Sequence, residues 1–208
     1  MFSVMARPRT HDIDAQLDAD EQLLAEQGSS KLTIRGLAKA TGASSGTLYH
    51  AFGSRADLLG HMWLRAADRF LVKQEEALND LLGEDGDFEK AAAATVAIAS
   101  VPAVIQAESP FTATVLLRYR RDEILGQDIS EQLRQELTHL DDRLLGVLRR
   151  LARGLWQRED RAAIETVAVC VVALPPAILI NRRERVIDPL AALEAAVRGV
   201  LRDASPRG

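Results

Sequence analysis

The chain has a single cysteine, Cys170, so no disulfide can close within it and no cysteine cluster can hold a metal. That residue lies in the run Val-Ala-Val-Cys-Val-Val-Ala-Leu and reads as a buried apolar side chain. Aromatic residues are only 4% of the total, so any core or pocket is built mainly from aliphatic groups. Strand-like alternation of apolar and polar residues is missing, as are internal repeats, glycine-rich phosphate loops and zinc-spaced clusters. No apolar run approaches the roughly 20 residues of a membrane span. The longest, residues 167–180, gives about 14 and contains Pro175 and Pro176. Residues 1–10, with Arg7 and Arg9, are too short for a signal-peptide core, and a cytoplasmic location without membrane contact is expected.

What is present is ample aliphatic material: 47% of the 208 residues are hydrophobic, enough for one small domain plus a medium one, or a single helical domain. The formal net charge of −4 hides a local asymmetry. Residues 31–56 hold Lys31, Arg35, Lys39 and Arg55 with no acid, a local +4 that leaves −8 on the remainder. Affinity for a polyanion depends on such a local patch rather than on the total.

That patch coincides with residues 33–52, which read as two short helices joined by a tight turn. Thr33 suits the N-cap of the first and Gly42 its left-handed terminus, and Ser44 caps a second that ends at Gly53. Ile34, Leu37 and Ala38 form one apolar stripe, leaving Arg35 and Lys39 outside. On the second helix Leu48 and Phe52 point inward, while Gly46 and His50 face the other way, flanked by Thr47 and Tyr49. A helix-turn-helix sets such an outward face in the major groove, with phosphates near the helix start.

The run from Thr33 through Gly42, Ser44, Gly46, Thr47, Leu48, Tyr49, Phe52, Ser54 and Asp57 to Leu58 resembles the N-terminal signature of the TetR family of bacterial transcriptional regulators. The resemblance covers about 50 residues. It implies DNA-contacting roles for Thr33, Arg35, Ser45, Thr47, Tyr49, His50 and Arg55; Ser44, the cap at the helix start, and Gly46, whose bare backbone allows close approach, are candidates beside them. Arg55 replaces the usual lysine. Residues 11–27 depart further: this expected first helix carries Asp12, Asp14, Asp18, Asp20, Glu21 and Glu26 where family members generally have basic residues.

Ser54-Arg-Ala-Asp57 is a capping box that opens a helix running to about Leu82, with Trp63, Phe70, Leu71 and Leu78 on its inner side. Beyond it, helices are expected near 87–100, 102–107, 109–124, 128–156, 159–183 and 188–203. Gly126, Gly154, Asp160 and Asp188-Pro189 act as punctuation, and Pro175-Pro176 should kink or interrupt the penultimate helix. Ala162, Ala163, Val167, Val171, Ala192, Ala195, Ala196 and Val200 give the last two helices small side chains. These suit half of a symmetric four-helix interface, or an ordinary core.

The fold class expected is therefore all-α. Residues 1–53 form a three-helix DNA-binding unit with a helix-turn-helix, and residues 54–208 a larger helical domain for effector binding and dimerisation. The function implied is a ligand-responsive regulator, a repressor, that binds a palindromic double-stranded DNA operator as a homodimer and is released by a small molecule. Trp63, Phe70, Phe111, Leu116, Tyr119 and Trp156 are candidates to line the effector pocket, although core packing explains them equally well. The alternative is a helical small-molecule-binding protein without sequence-specific DNA binding. Catalytic residues, cofactors and metals are not expected. Glu136-Leu-Thr-His139 has the Glu-x-x-His spacing of di-iron bundles, but no second copy accompanies it. Arg149, Arg150 and Arg153 sit near a helix C-terminus, where the dipole accounts for them.

Overall fold

The computed structural model describes Ala38 and residues 44–83, 87–118, 128–179 and 188–203, and every regular element among them is helical. In chain order these are α1 (Ser45–Phe52), α2 (Arg55–Leu81), α3 (Phe88–Glu108), α4 (Pro110–Arg118) and α5 (Glu131–Trp156). Then come α6 (Arg161–Ala168), a π-helical segment (Val169–Ala173), α7 (Leu174–Leu179) and α8 (Pro189–Asp203). The expected helix at 11–27 and most of the one before the turn lie outside the described residues.

Side-chain caps start most of the long elements. The Ser54 Oγ accepts from the Asp57 N–H at 3.0 Å, and Asp87, Ser130 and Asp160 cap α3, α5 and α6 in the same way. Asp188 accepts from the amides of Leu190 and Ala191 at the start of α8. Each such cap satisfies an amide that the helix itself cannot and contributes about 1 kcal/mol. At the other end of α5, Gln157 adopts φ 55°, ψ 35°, a left-handed cap whose N–H donates to the Arg153 carbonyl.

The expected boundaries needed three corrections. The break at Pro102 is absent: α3 runs unbroken from Phe88 to Glu108, with Pro102 inside it. Burial of Ile98, Val101 and Ile105 around that turn outweighs the roughly 3 kcal/mol proline penalty. Gly154 is not punctuation but lies within α5, where a Cβ would stand 2.9 Å from Ala91 Cβ and 3.0 Å from Leu82 Cδ1. Its bare backbone lets α5 touch the end of α2 and the start of α3. The third correction concerns length. Phe88–Glu108 and Arg161–Leu179, of 21 and 19 residues, are both long and apolar enough to cross a membrane by length and composition, which also suits the core helices of a bundle.

The proline pair does interrupt α-helical pairing. Pro175 and Pro176 have no N–H to return to the preceding turn, and directly before them the chain widens into the π segment, where the Leu174 N–H reaches the Val169 carbonyl.

Four polar pairs, Asp57 with Ser130, His61 with Glu136, Glu75 with Arg143 and Asn79 with Arg150, rise together in number along α2 and α5. The two helices therefore run parallel, and the chain between them must travel back. It does so through α3, which contacts α2, α4, α5, α7 and α8 and is accordingly apolar on most of its circumference. Leu58, Met62, Leu78, Ile98, Leu133, Leu137 and Leu151 fill the space between these helices and are almost wholly buried.

Candidate nucleic-acid interface

Helix α1 is only eight residues long and cannot persist alone; it is held by burying Leu48 and Phe52 in the main core. Its opposite side is open. Tyr49 is 54% exposed, His50, Gly46 and Ser44 are exposed, and Ser45 is half-buried. Thr47 belongs to α1 but its side chain lies outside the described residues, as do Thr33 and Arg35 altogether. Arg55 is exposed at the first position of α2. A Cβ on Gly46 would meet only Ser44 Oγ, at an ordinary 3.7 Å, so nothing within the described chain requires glycine there. Glycine inside a helix costs about 1 kcal/mol relative to alanine, and its merit here is an open approach to the backbone from outside.

The chain leaves α1 through Gly53, at φ 67°, and turns at once into α2. Phe52 packs its ring 6.0 Å from that of His61, tilted by 55°. Asp57 is 9% exposed and uses both oxygens: Oδ2 accepts from Ser54 Oγ at 3.3 Å, and Oδ1 accepts from the Ser130 N–H at 2.7 Å. Sequence reading identified Asp57 as part of a capping box and missed the second contact, which spans 73 positions and has no local signal.

The pocket candidates do not form one wall. Phe70 and Leu116 meet in a small cluster with Val101, Ile105 and Ala113, beside which Arg69 donates to Thr112 Oγ1 at 2.9 Å. Trp63 is buried in the main core, Phe111 is 37% exposed at the start of α4, and Tyr119 lies outside the described residues. Trp156 is half-buried at the far end of α5, beyond the Gly154–Leu82 contact, and so stands roughly 30 Å along the bundle from Trp63 at 1.5 Å per residue.

The arginines of α5 have specific partners that a helix dipole does not predict. Arg150 donates to Asn79 Oδ1 at 2.8 Å, and Arg153 pairs with Glu159. Arg143 makes two hydrogen bonds to Glu75, at 3.1 and 2.8 Å, and another to Asp68; these carboxylates raise its pKa further above the ordinary arginine value. Glu136 lies 3.9 Å from His61, whereas His139 is exposed. Gly42-Ala-Ser-Ser-Gly46 spells Gly-x-Ser-x-Gly, but a nucleophile elbow is fed by a strand, whereas Ala38, four residues before the motif, is helical.

Residues 17–62 match the family of bacterial regulatory proteins, tetR family. This N-terminal unit is of the TetR family. Two relatives of this chain are the transcriptional repressor ComR of Escherichia coli, 36% identical over 72 residues, and the transcriptional regulator AlkX of Mycobacterium tuberculosis, 37% identical over 70. The matched region covers 35% and 34% of this chain, and the chain spans about a third of the length of these relatives, 34% and 33%.

The fold likeness extends further. A TetR-family regulatory protein from Rhodococcus RHA1 superposes with a TM-score of 0.68 at 15% identity, covering 93% of this chain and 97% of that one. The regulator FadR from Bacillus subtilis, solved in complex with stearoyl-CoA, gives 0.64 at 19% identity over 91% and 97%. A regulator from Saccharomonospora viridis, solved with choline, gives 0.64 at 15% identity over 94% and 98%. At these identities the TetR likeness beyond the N-terminal unit is one of fold alone.

Proposed function

We propose that this protein is a ligand-responsive transcriptional repressor that acts in the cytoplasm, reading a palindromic operator as a homodimer. The observation that carries the reading is α1. It buries Leu48 and Phe52 completely enough to be rigid while presenting Gly46, Tyr49 and His50 outward, with Arg55 at the start of α2. Arg55 suits a phosphate; Tyr49 and His50 suit base edges; Thr33, Arg35, Ser44, Ser45 and Thr47 complete the proposed contact set.

A twofold operator needs two reading helices, and the C-terminal helices supply a surface for pairing. Val169 and Val172 on the π segment and Leu190 on α8 are between 43% and 48% exposed, beside exposed Ala162 and Ala195. A second copy of the same face would cover them. The apolar cluster of Phe70 and Leu116, with Arg69 and Thr112 as a polar edge, is the best-supported wall for an effector. Stearoyl-CoA and choline, found with two relatives of this fold, differ so much that they support an effector in general and no particular one.

Selection of bound duplexes from a random pool tests the reading, with a Tyr49→Ala, His50→Ala variant in parallel at one moderate salt concentration. The parent should enrich a sequence with two related half-sites and the variant should not, while both give the same circular dichroism. Enrichment of the same sequence by the variant would refute the placement of α1.

A further inference from the structure

We propose that Asp57 is a positioning residue that ties the reading helix to the N-terminus of α5, so that the two ends of one carboxylate connect the DNA-facing unit with the effector domain. The proposal rests on the functional reading above and adds a second route to it, beside α2 itself.

The geometry is compact. A Cβ on Gly53, the left-handed residue that ends α1, would stand 3.5 Å from Asp57 Oδ2, and the same oxygen accepts from Ser54 Oγ. The other oxygen, Oδ1, takes the Ser130 N–H at 2.7 Å, and Ser130 is the residue whose own Oγ caps α5 at Leu133. One carboxylate thus sits between the exit of α1 and the entry of α5, and it accepts from the amide that precedes the first turn of α5. A hydrogen bond from an N–H to a carboxylate oxygen is shorter and stronger than one to a neutral acceptor, and this one is 2.7 Å long. One turn further along α2, His61 repeats the pattern, with Phe52 of α1 on one side and Glu136 of α5 on the other. If α5 tilts, Asp57 must follow or release its amide, and either event alters the partner of Ser54, whose own N–H is bonded to the Phe52 carbonyl at the end of α1. A change at the entry of α5 is therefore felt at the end of α1 within a few ångströms.

The test follows amide hydrogen exchange at Ser130 and Leu133, using the duplex recovered by selection as the probe. In the parent, duplex binding fixes α1 and should slow exchange at both amides by about tenfold. Asp57→Ala should abolish that slowing, and Asp57→Asn, which keeps an acceptor oxygen, should restore most of it. Ser130→Ala is the control: it removes the Oγ that caps Leu133 but keeps the N–H bonded to Asp57, so the slowing at the amide of position 130 should persist. Circular dichroism confirms that each variant is folded. Duplex-dependent slowing at the Ser130 amide that survives in folded Asp57→Ala would overturn the tie while leaving the DNA reading intact. Failure of the parent to bind any duplex would overturn both.

Discussion

Replacing Gly154 and Gly146 with alanine should move stability in opposite directions, although both sit inside the same helix. Alanine gains about 0.8–1 kcal/mol over glycine in a helix interior, partly by restricting the unfolded chain, and this gain is common to both positions. At Gly146 nothing lies within 4 Å of the added methyl, so the full gain should appear. At Gly154 the methyl meets Ala91 Cβ at 2.9 Å and Leu82 Cδ1 at 3.0 Å. The leucine tip can rotate away, but the Ala91 carbon is fixed to the backbone of α3. Reaching an ordinary separation near 3.6 Å means moving α3 and α5 apart by roughly 0.7 Å, an overpacking cost of about 1–3 kcal/mol.

Gly154→Ala should therefore be less stable than Gly146→Ala by about 1–3 kcal/mol, and neutral to destabilised relative to the parent. Urea unfolding followed by circular dichroism, at one fixed protein concentration, measures this directly. Equal stabilisation by the two substitutions would refute the close approach of α5 to α3, and with it the way this fold closes the end of the bundle away from the reading helix.

Two further outcomes follow from the C-terminal helices. Burial pushes the Cys170 thiol up to about 11 from an ordinary value of 9.0, so between these pH values the unfolded chain loses a proton that the folded chain keeps. Stability should then fall as pH rises from 9 to 11, by about 2–3 kcal/mol at most, and the fall should be shallower in Cys170→Ala; equal slopes for the two proteins in urea midpoints across that range would refute it. Val172→Glu, on the 48% exposed position of the π segment, should convert a dimer into a folded monomer in sedimentation, and an unchanged dimer would place the pairing surface elsewhere.

The parts legible in the sequence are those set by local chemistry. Ser54, Asp87, Asp160 and Asp188 announce helix starts because their side chains act within three residues. The inward Leu48 and Phe52 and the outward Tyr49 and His50 follow from 100° per residue. Pro102 misled because its cost is local and small beside the burial of a central helix, and Gly154 misled because a bare backbone serves a packing need as readily as it stops a helix. The scattered pocket candidates failed to converge for a related reason. Aromatic residues announce burial, but which of them share a cavity depends on whether α2 and α5 run parallel or antiparallel, and no spacing rule states that.

The parallel arrangement also limits how a signal can travel. Polar ties between α2 and α5 are spaced along most of their length: Asp57 with Ser130 and His61 with Glu136 near the start, Arg143 with Glu75 and Asp68 in the middle, Asn79 with Arg150 near the end. Sliding one helix past the other by a turn, about 5.4 Å, would break every one of them at once while also dislodging Leu133, Leu137 and Leu151 from the core. A tilt about the close contact at Gly154, Leu82 and Ala91 disturbs least at that end and most at the other, where α1 begins. A displacement of a few tenths of an ångström beside Phe70 and Leu116 would thus be enlarged toward Asp57 and Ser130. Under the function proposed above, the tight packing at one end of the bundle and the polar contact at the other would act as two ends of one lever, with α1 at the end that moves.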